Sequence, residues 1–345
     1  MIPNHIKIGN SATYLNKYII DHNYSKICIL VDDNTVNNCL NIIKNDLKFS
    51  YEVFQIQSGE EKKNLETCSE IWNHLTENTY DRRSLIINLG GGVICDMGGF
   101  IASTYKRGID FINIPTTLLA QVDASVGGKL GIDFNNFKNQ IGVFKIPNLI
   151  IVDIKFLATL PERELKSGFA EVIKHCLIID NEKFNEINKI EWSQNNWDEI
   201  VRHSIEIKSN VVKNDLEENG IRKILNFGHS LGHAIETTYL HKNNKLLHGE
   251  AIAIGMICES FISVLNKKLS KNELYKISEY ILSIYQPIKI NFIEEILINI
   301  NQDKKNIHQK IMVSTLNKIG ECDYDIKVKP EEIIKSINYY NNIVT

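Results

Sequence analysis

The sequence predicts an α/β N-terminal part built on a Rossmann-like parallel sheet, followed by a mainly α-helical C-terminal part. Three observations carry this expectation. Between residues 26 and 115, short apolar, β-branched runs alternate with helix-length stretches, the pattern of parallel strands joined by crossover helices. One of those runs ends in three consecutive glycines, Gly90, Gly91 and Gly92, that open a helical stretch. From about Pro161 onward, apolar residues recur at helical spacing instead.

In chain order, KICILVDD (26–33) reads as a buried strand and 34–47 as a helix. YEVFQI (51–56) is a strand followed by a helix near 62–78. SLIINLG (84–90) is a strand, 93–105 a helix, and DFINIP (110–115) a strand again. Sheets of this kind hold ligands at the carboxyl ends of their strands. Residues 162–180 carry Leu165, Phe169, Val172, Ile173 and Cys176 on one helical face, and 198–216 carry Ile200, Val201, Ile205, Val211 and Val212. Further helices fit 229–240, 249–266, 271–284 and 292–300, with a short strand at 311–316 before a final helix. The change of style at 155–161 suggests an α/β domain over 1–158 and a helical domain over 159–345.

The composition is that of an ordinary globular chain, 43% hydrophobic and 23% charged, which excludes fibrous and largely disordered classes. A net charge of -3 offers no general attraction to nucleic acid or an anionic membrane. Seven cysteines, scattered and without a Cys-x-x-Cys pair, argue against a disulfide framework or a cysteine-built zinc site. MIPNHIKIGN lacks the features of a signal peptide, and apolar runs such as Ala251–Ile257 fall short of the ~20 residues a bilayer needs. A soluble, reduced, cytoplasmic protein is expected.

Candidate chemistry begins with the glycines. Gly90–Gly92 let the backbone pass close to a ligand, and the helix start that follows favours an anion. Gly98 and Gly99 would let that helix lie tightly on the sheet. The spacing is not Gly-x-Gly-x-x-Gly, so the common dinucleotide fingerprint is absent. DASVGGK (123–129) adds two free glycines and Lys129, a point charge suited to phosphate, and KNQIG (138–142) adds Lys138 and Asn139.

NFGHSLGHAIE (226–236) places His229 and His233 four apart, on one helical face, which suits a divalent metal. His248 follows at the start of the next helix, and Glu171 lies on the helix of SGFAEVIK. Spacing leaves open which three groups ligate, and by chemistry alone His229 and His233 are the favoured pair. Lys208 sits on an apolar stripe, where its stem can run out to solvent or its charge can point into a polar cleft between the domains. Lys174, one turn from Glu171, and Arg222, one turn before Asn226, join Lys129 and Lys208 as cations suited to a substrate bearing phosphate and carboxylate. The DKK of 303–305 is either part of that set or a solvated loop.

GGGVICDMGGF, TYKRG, PTTLLAQVDASVGGK, KNQIG, SGFAEVIK, NFGHSLGHAIE and LHGEAIAIGM, in this order and spacing, resemble the 3-dehydroquinate synthase family over about residues 26–320. The resemblance implies an NAD-binding α/β domain, a helical metal- and substrate-binding domain, and a homodimer. The implied reaction converts 3-deoxy-D-arabino-heptulosonate 7-phosphate to 3-dehydroquinate and phosphate. It proceeds through transient oxidation by NAD, phosphate elimination, reduction, ring opening and intramolecular aldol closure. Carried over by position, the metal ligands become Glu171, His229 and His248, and His233 becomes a proton-transfer residue. A His/His/carboxylate set suits zinc, with cobalt or manganese as alternatives. NAD contacts fall to Asp33, Glu60, Lys63, Gly91, Gly92, Val93, Asp96, Thr116, Thr117, Lys129, Lys138, Phe156, Thr159 and Glu164. Substrate contacts fall to Asp123, Lys129, Asn139, Lys174, Lys208, Arg222, Asn226 and Lys304 or Lys305, with Arg107 reaching the partner subunit's site.

Cys95 and Gln140 depart from the family pattern, where glycine and an aliphatic residue are expected, and HKNNK (241–245) lengthens a loop. Neither substituted position carries chemistry in the family. The competing readings are another sugar phosphate cyclase, a metal-dependent polyol dehydrogenase of the glycerol type, and a catalytically silent binding protein. The cationic set argues against an uncharged polyol, and no metal ligand or general acid is missing.

Overall fold

The computed structural model describes residues 2–135, 137–240, 242–301 and 310–344. The chain begins with β1 (Ile6–Ile8), α1 (Ser11–His22), β2 (Ile27–Asp32), α2 (Asp33–Thr35), α3 (Asn41–Ile43), β3 (Glu52–Ile56), α4 (Leu65–Glu77) and β4 (Leu85–Gly90). It continues with α5 (Gly92–Thr104), β5 (Asp110–Pro115), β6 (Lys129–Phe134), β7 (Phe137–Phe144) and β8 (Leu149–Val152). Then come α6 (Glu162–Ile179), α7 (Asn181–Ile187), α8 (Trp197–Asn214), α9 (His229–Tyr239), α10 (His248–Leu265), α11 (Lys271–Ile284) and α12 (Ile293–Asn301). The last elements are β9 (Ile311–Lys318), β10 (Glu321–Val328) and α13 (Pro330–Ile343). Packing divides the chain into two units: Met1–Leu165 with Trp197–Asn210, and Lys166–Asn196 with Val211–Thr345.

The first unit is organised by a six-stranded sheet of order β1-β8-β5-β4-β2-β3 in which every pairing is parallel. Both faces are buried at β2, β4, β5 and β8, so these strands read as nearly continuous apolar runs, and alternate residues feed two cores. Cys28, Leu30 and Ile86 enter one core with Met97 and Ile101 of α5. Ile29, Val31, Ile87 and Leu89 enter the other with Leu15 of α1.

The helix expected over 34–47 is present as one helical run over 33–46, in which α2, a π-turn at Val36–Leu40, α3 and a 3-10 turn at Lys44–Asp46 follow one another without a gap. Asparagines accompany the π-turn: Asn37 Nδ2 donates to Asp33 O and Asn41 Nδ2 to Asn37 O, both at 3.0 Å, so side chains compete with the regular α ladder. The β6–β7 hairpin was not visible as strands because glycines interrupt it. They are required there, since a Cβ on Gly142 would sit 2.3 Å from Leu130 O.

The second unit is helical, with one antiparallel pair, β9–β10. Its centre is α10, which packs against α9, α11, α13 and β9. Among the described residues α10 is the one helix long and apolar enough to cross a membrane, but 72% of it is buried inside the protein. A helix apolar on every side is what a core position produces.

Candidate active site

In the first unit the glycine turn lies where β4 ends and α5 begins. Gly91 is the N-cap of α5 and offers no side chain to the first turn, leaving its N–H groups available to an anion. Thr116 N donates to Gly90 O at 3.0 Å, which brings the β5 end beside the turn, and a Cβ on Gly91 would lie 3.1 Å from Thr117 Cγ2. Gly91, Gly92, Val93, Thr116 and Thr117 are therefore neighbours at the carboxyl ends of adjacent strands. Helix α5 can sit this close because Gly98 carries no Cβ; one there would fall 1.9 Å from Asn88 Oδ1. Asp33, exposed just after β2, accepts from Ser58 N at 2.9 Å, and hydrogen bonding by Ser58 holds its carboxyl below the usual range.

Lys63 joins two other expected residues. Its buried Nζ donates to Asp96 Oδ2 and to Asn139 Oδ1, each at 2.7 Å. Burial would favour loss of its proton, but Asp96, Glu60 and Asp133 outweigh that and keep its pKa above the usual lysine value. Asn139, held at φ 50, donates its N–H to Asp133 Oδ1 at 2.7 Å, and Lys138 lies 3.7 Å from Glu60.

Lys208 does not run out to solvent. It is 6% exposed, and its Nζ donates to Asp123 O at 2.6 Å and pairs with Asp123 Oδ1 at 2.8 Å. Asp123 lies on a π-turn, Ala120–Ala124, a local widening common at functional sites. Gln121 on the same turn donates to Pro115 O and Asp153 O, tying it to the ends of β5 and β8.

Lys129 opens β6 and is exposed. Phe156 is a buried member of the core under the sheet, Thr159 Oγ1 donates to its carbonyl at 3.2 Å, and Glu164 is exposed on the first turn of α6. Arg107, exposed, follows Lys106 in the left-handed region at φ 70 and precedes Gly108 at φ 109. Lys304 and Lys305 lie outside the described residues.

In the second unit, α6, α9 and α10 bring four expected groups together. Glu171 Oε1 lies 3.4 Å from His229 Nε2 and 3.6 Å from His248 Nε2. One nitrogen from each of His229, His233 and His248 lies within 4.8 Å of the others. Lys174 pairs with the second Glu171 oxygen, and both side chains are buried. Burial would raise the Glu171 carboxyl, but Lys174 and His229 hold it well below the usual range. Burial, with Lys174 beside it, pushes His229 down to about 4. For His248 burial acts downward too, yet Glu236 and Glu171 raise it to about 10.

The helices converge because glycines remove their side chains at the crossing. A Cβ on Gly255 of α10 would sit 2.0 Å from Gly228 O, and one on Gly249 would sit 1.9 Å from Ser167 O. Gly249 N also donates to Ser167 Oγ at 2.9 Å, one turn before Glu171.

Arg222 Nη1 donates to Leu216 O at 2.5 Å, while its backbone N–H donates to Asp215 Oδ2 at 3.0 Å. Asn226 Nδ2 donates to Glu218 Oε1 at 2.5 Å. Two acidic residues near these groups escaped the sequence reading. Glu218 lies in a stretch without periodicity, and nothing in the sequence marked it. Glu236 had a signal: it lies three residues after His233 on the same helix, and its Oε2 is 3.1 Å from His248 Nδ1.

A 2-epi-5-epi-valiolone synthase from Streptomyces hygroscopicus, with NAD+ and Zn2+ bound, matches with a TM-score of 0.87 over 99% of this chain and 98% of that one. At 23% identity this likeness shows the fold alone. The same fold is shared with a 2-deoxy-scyllo-inosose synthase, at a TM-score of 0.84, and an iron-containing alcohol dehydrogenase, at 0.65. Family models for the N-terminal and C-terminal parts of 3-dehydroquinate synthase match residues 53–167 and 168–306. A 3-dehydroquinate synthase of Parabacteroides distasonis is 36% identical over 335 residues, 94% of this chain and 94% of that protein. A bifunctional 3-dehydroquinate synthase/phosphatase of Fusobacterium nucleatum is 39% identical over 346 residues, and this chain spans 51% of its length. The chain belongs to the 3-dehydroquinate synthase family, whose members are carbon–oxygen lyases of the shikimate pathway.

Proposed function

We propose that the chain converts 3-deoxy-D-arabino-heptulosonate 7-phosphate to 3-dehydroquinate and phosphate, with catalytic NAD and one divalent ion, zinc or cobalt, held by Glu171, His229 and His248. The single observation that carries this is the placement of Glu171 Oε1 at 3.4 and 3.6 Å from the two Nε2 atoms. Ligand atoms 2.0–2.1 Å from a tetrahedral ion stand about 3.4 Å apart, so the donor set fits. The other ring nitrogens support it: His229 Nδ1 meets Phe227 O at 3.1 Å and His248 Nδ1 meets Glu236, which points both Nε2 atoms at the carboxylate. For the nucleotide, the fit lies in the side-chain-free Gly91 and Gly92 at the start of α5.

NAD, when bound, supplies the hydride acceptor and later the donor, and the ion supplies Lewis acidity toward substrate hydroxyls. We assign nucleotide binding to residues 1–158, through Asp33, Glu60, Lys63, Gly91, Gly92, Val93, Asp96, Thr116, Thr117, Lys129, Lys138 and Phe156, with Thr159 and Glu164 just beyond that boundary completing the set. Residues 159–345 hold the ion and much of the substrate. His233 accepts and returns a proton at its imidazole. Lys129, Lys174, Lys208 and Arg222 bind the phosphate and carboxylate and stabilise charge on the departing phosphate. Asp123, Asn139, Asn226 and Lys304 or Lys305 complete the contacts and hold a flexible sugar acid in successive reactive poses. The active form is a cytoplasmic homodimer in which Arg107 reaches the partner's site.

Phosphate release is measured with sub-stoichiometric NAD, with and without a chelator, while NADH absorbance is followed in the same cuvette. Metal-dependent release far exceeding the NAD supplied, without NADH accumulation, is expected. Steady NADH formation from simple polyols without phosphate release would make the chain a dehydrogenase instead.

A further inference from the structure

Glu259 is a carboxylate in the middle of the apolar helix α10 and is completely buried. Its oxygens accept three backbone N–H groups, from Gly228 at 2.7 Å, Ser230 at 3.1 Å and Leu231 at 3.2 Å. Those groups form the start of α9, whose first residue is His229.

The first N–H groups of a helix have no partner within it, and a Ser, Thr, Asp or Asn at the N-cap ordinarily supplies one. Here the N-cap is Gly228 at φ 78, which has no side chain to offer. Glycine is forced, because a Cβ there would sit 2.6 Å from Met256 Cγ and 3.0 Å from Met256 N. The cap therefore comes from the neighbouring helix. Three charge-assisted hydrogen bonds and the positive end of the α9 dipole offset the cost of burying the carboxylate.

The consequence reaches the metal centre. Helix α10 begins with His248 and carries Glu259 three turns on, so one rod holds one imidazole and anchors the start of the helix bearing the others. His229 is clamped on both sides, since residues 228 and 230 both donate to Glu259. We propose that Glu259 is a positioning residue for the metal centre, fixing the backbone of His229 relative to His248. This rests on the ion-binding role given above to Glu171, His229 and His248.

The test is a Co2+ titration of the full chain, followed by the visible d–d absorption of the bound ion and by NAD affinity. Wild type should take one ion; if it takes none, the ion-binding reading itself falls, and this proposal with it. Glu259→Gln, which keeps the shape but loses the charge, should bind Co2+ about 10–100-fold more weakly with a changed spectrum and unaltered NAD affinity. Ile337→Val, which removes a buried methyl from α13, should lower stability and leave the Co2+ affinity and spectrum as in wild type. Wild-type affinity and spectrum in Glu259→Gln, or a loss no larger than in Ile337→Val, would overturn the proposal. Should Glu259→Gln fail to fold, Glu259→Asp, too short to keep all three bonds, is read the same way.

Discussion

Glu236 Oε2 stands 3.1 Å from His248 Nδ1, on the side of the ring opposite the nitrogen that faces Glu171. One imidazole thus lies between two carboxylates, a setting that demands positive charge and fixes which nitrogen is free. Removing the outer carboxylate as Glu236→Ala should weaken metal binding about 10–100-fold. Competition with a chelator of known affinity measures this, and an unchanged constant would strip Glu236 of the role.

Lys63 is the joint between Asp96 of α5 and Asn139 of β7. Lys63→Met should leave Asp96 without its counter-charge and lower stability by about 3 kcal/mol, the usual result of breaking a buried pair from one side. Adding Asp96→Leu should restore much of the stability, since an apolar pair replaces an ionic one. NAD affinity should stay low in both variants. Urea unfolding and NAD titration separate the two effects, and an undiminished NAD affinity in the single variant would refute the assignment.

Lys129 is exposed at the first position of β6, so its removal should hardly disturb the fold. Lys129→Ala should cripple turnover while changing NAD affinity far less. A full-rate variant would show that its ammonium does not serve the substrate phosphate.

Glu273 links two elements of the second unit. Its Oε2 accepts from Ser270 at the start of α11, and its Oε1 accepts from Ile319 N at the β9–β10 turn, at 3.0 Å. Burial would raise its pKa, but the Ser270 and Ile319 bonds outweigh this and lower it below 4.5. A depressed carboxylate contributes its stability above the unfolded pKa and loses it as pH falls through the folded value. Glu273→Gln should therefore cost about 1 kcal/mol at pH 7. The gap from wild type should close below pH 4.5. Urea midpoints at pH 7 and pH 3.5 check the sign; a constant gap would exclude ionisation as the source.

Legibility in the sequence followed periodicity. The strands at 26–33, 84–90 and 110–115 announced themselves because both sheet faces are buried, so nearly every residue is apolar. Helix α11 was read at its observed bounds because Ser270 and Glu273 form a capping box. The three-residue β1 carries too little pattern to detect, and within the helix read at 34–47 nothing in the apolar spacing marks the π-turn at Val36–Leu40. The histidines of the site were visible through their i, i+4 spacing. Glu259 was not, because a lone acid in an apolar helix gives no hint that its partners are backbone N–H groups nearly thirty residues earlier. Lys208 was visible as an anomaly but ambiguous in direction, since only the distant Asp123 decides where its charge goes.

The two units interrupt one another along the chain: the first is left at Leu165 and resumed at Trp197, the second left at Asn196 and resumed at Val211. No single cut therefore releases either unit intact. A fragment ending at Leu165 would lack Lys208 and leave Asp123 without its counter-charge. The ribosome meets the same constraint, because the first unit cannot be completed until Asn210 has emerged, by which time α6 and α7 of the second are already outside. Chain order thus makes the two halves obligate companions in synthesis, because the chain passes between them three times, after Leu165, Asn196 and Asn210, rather than once.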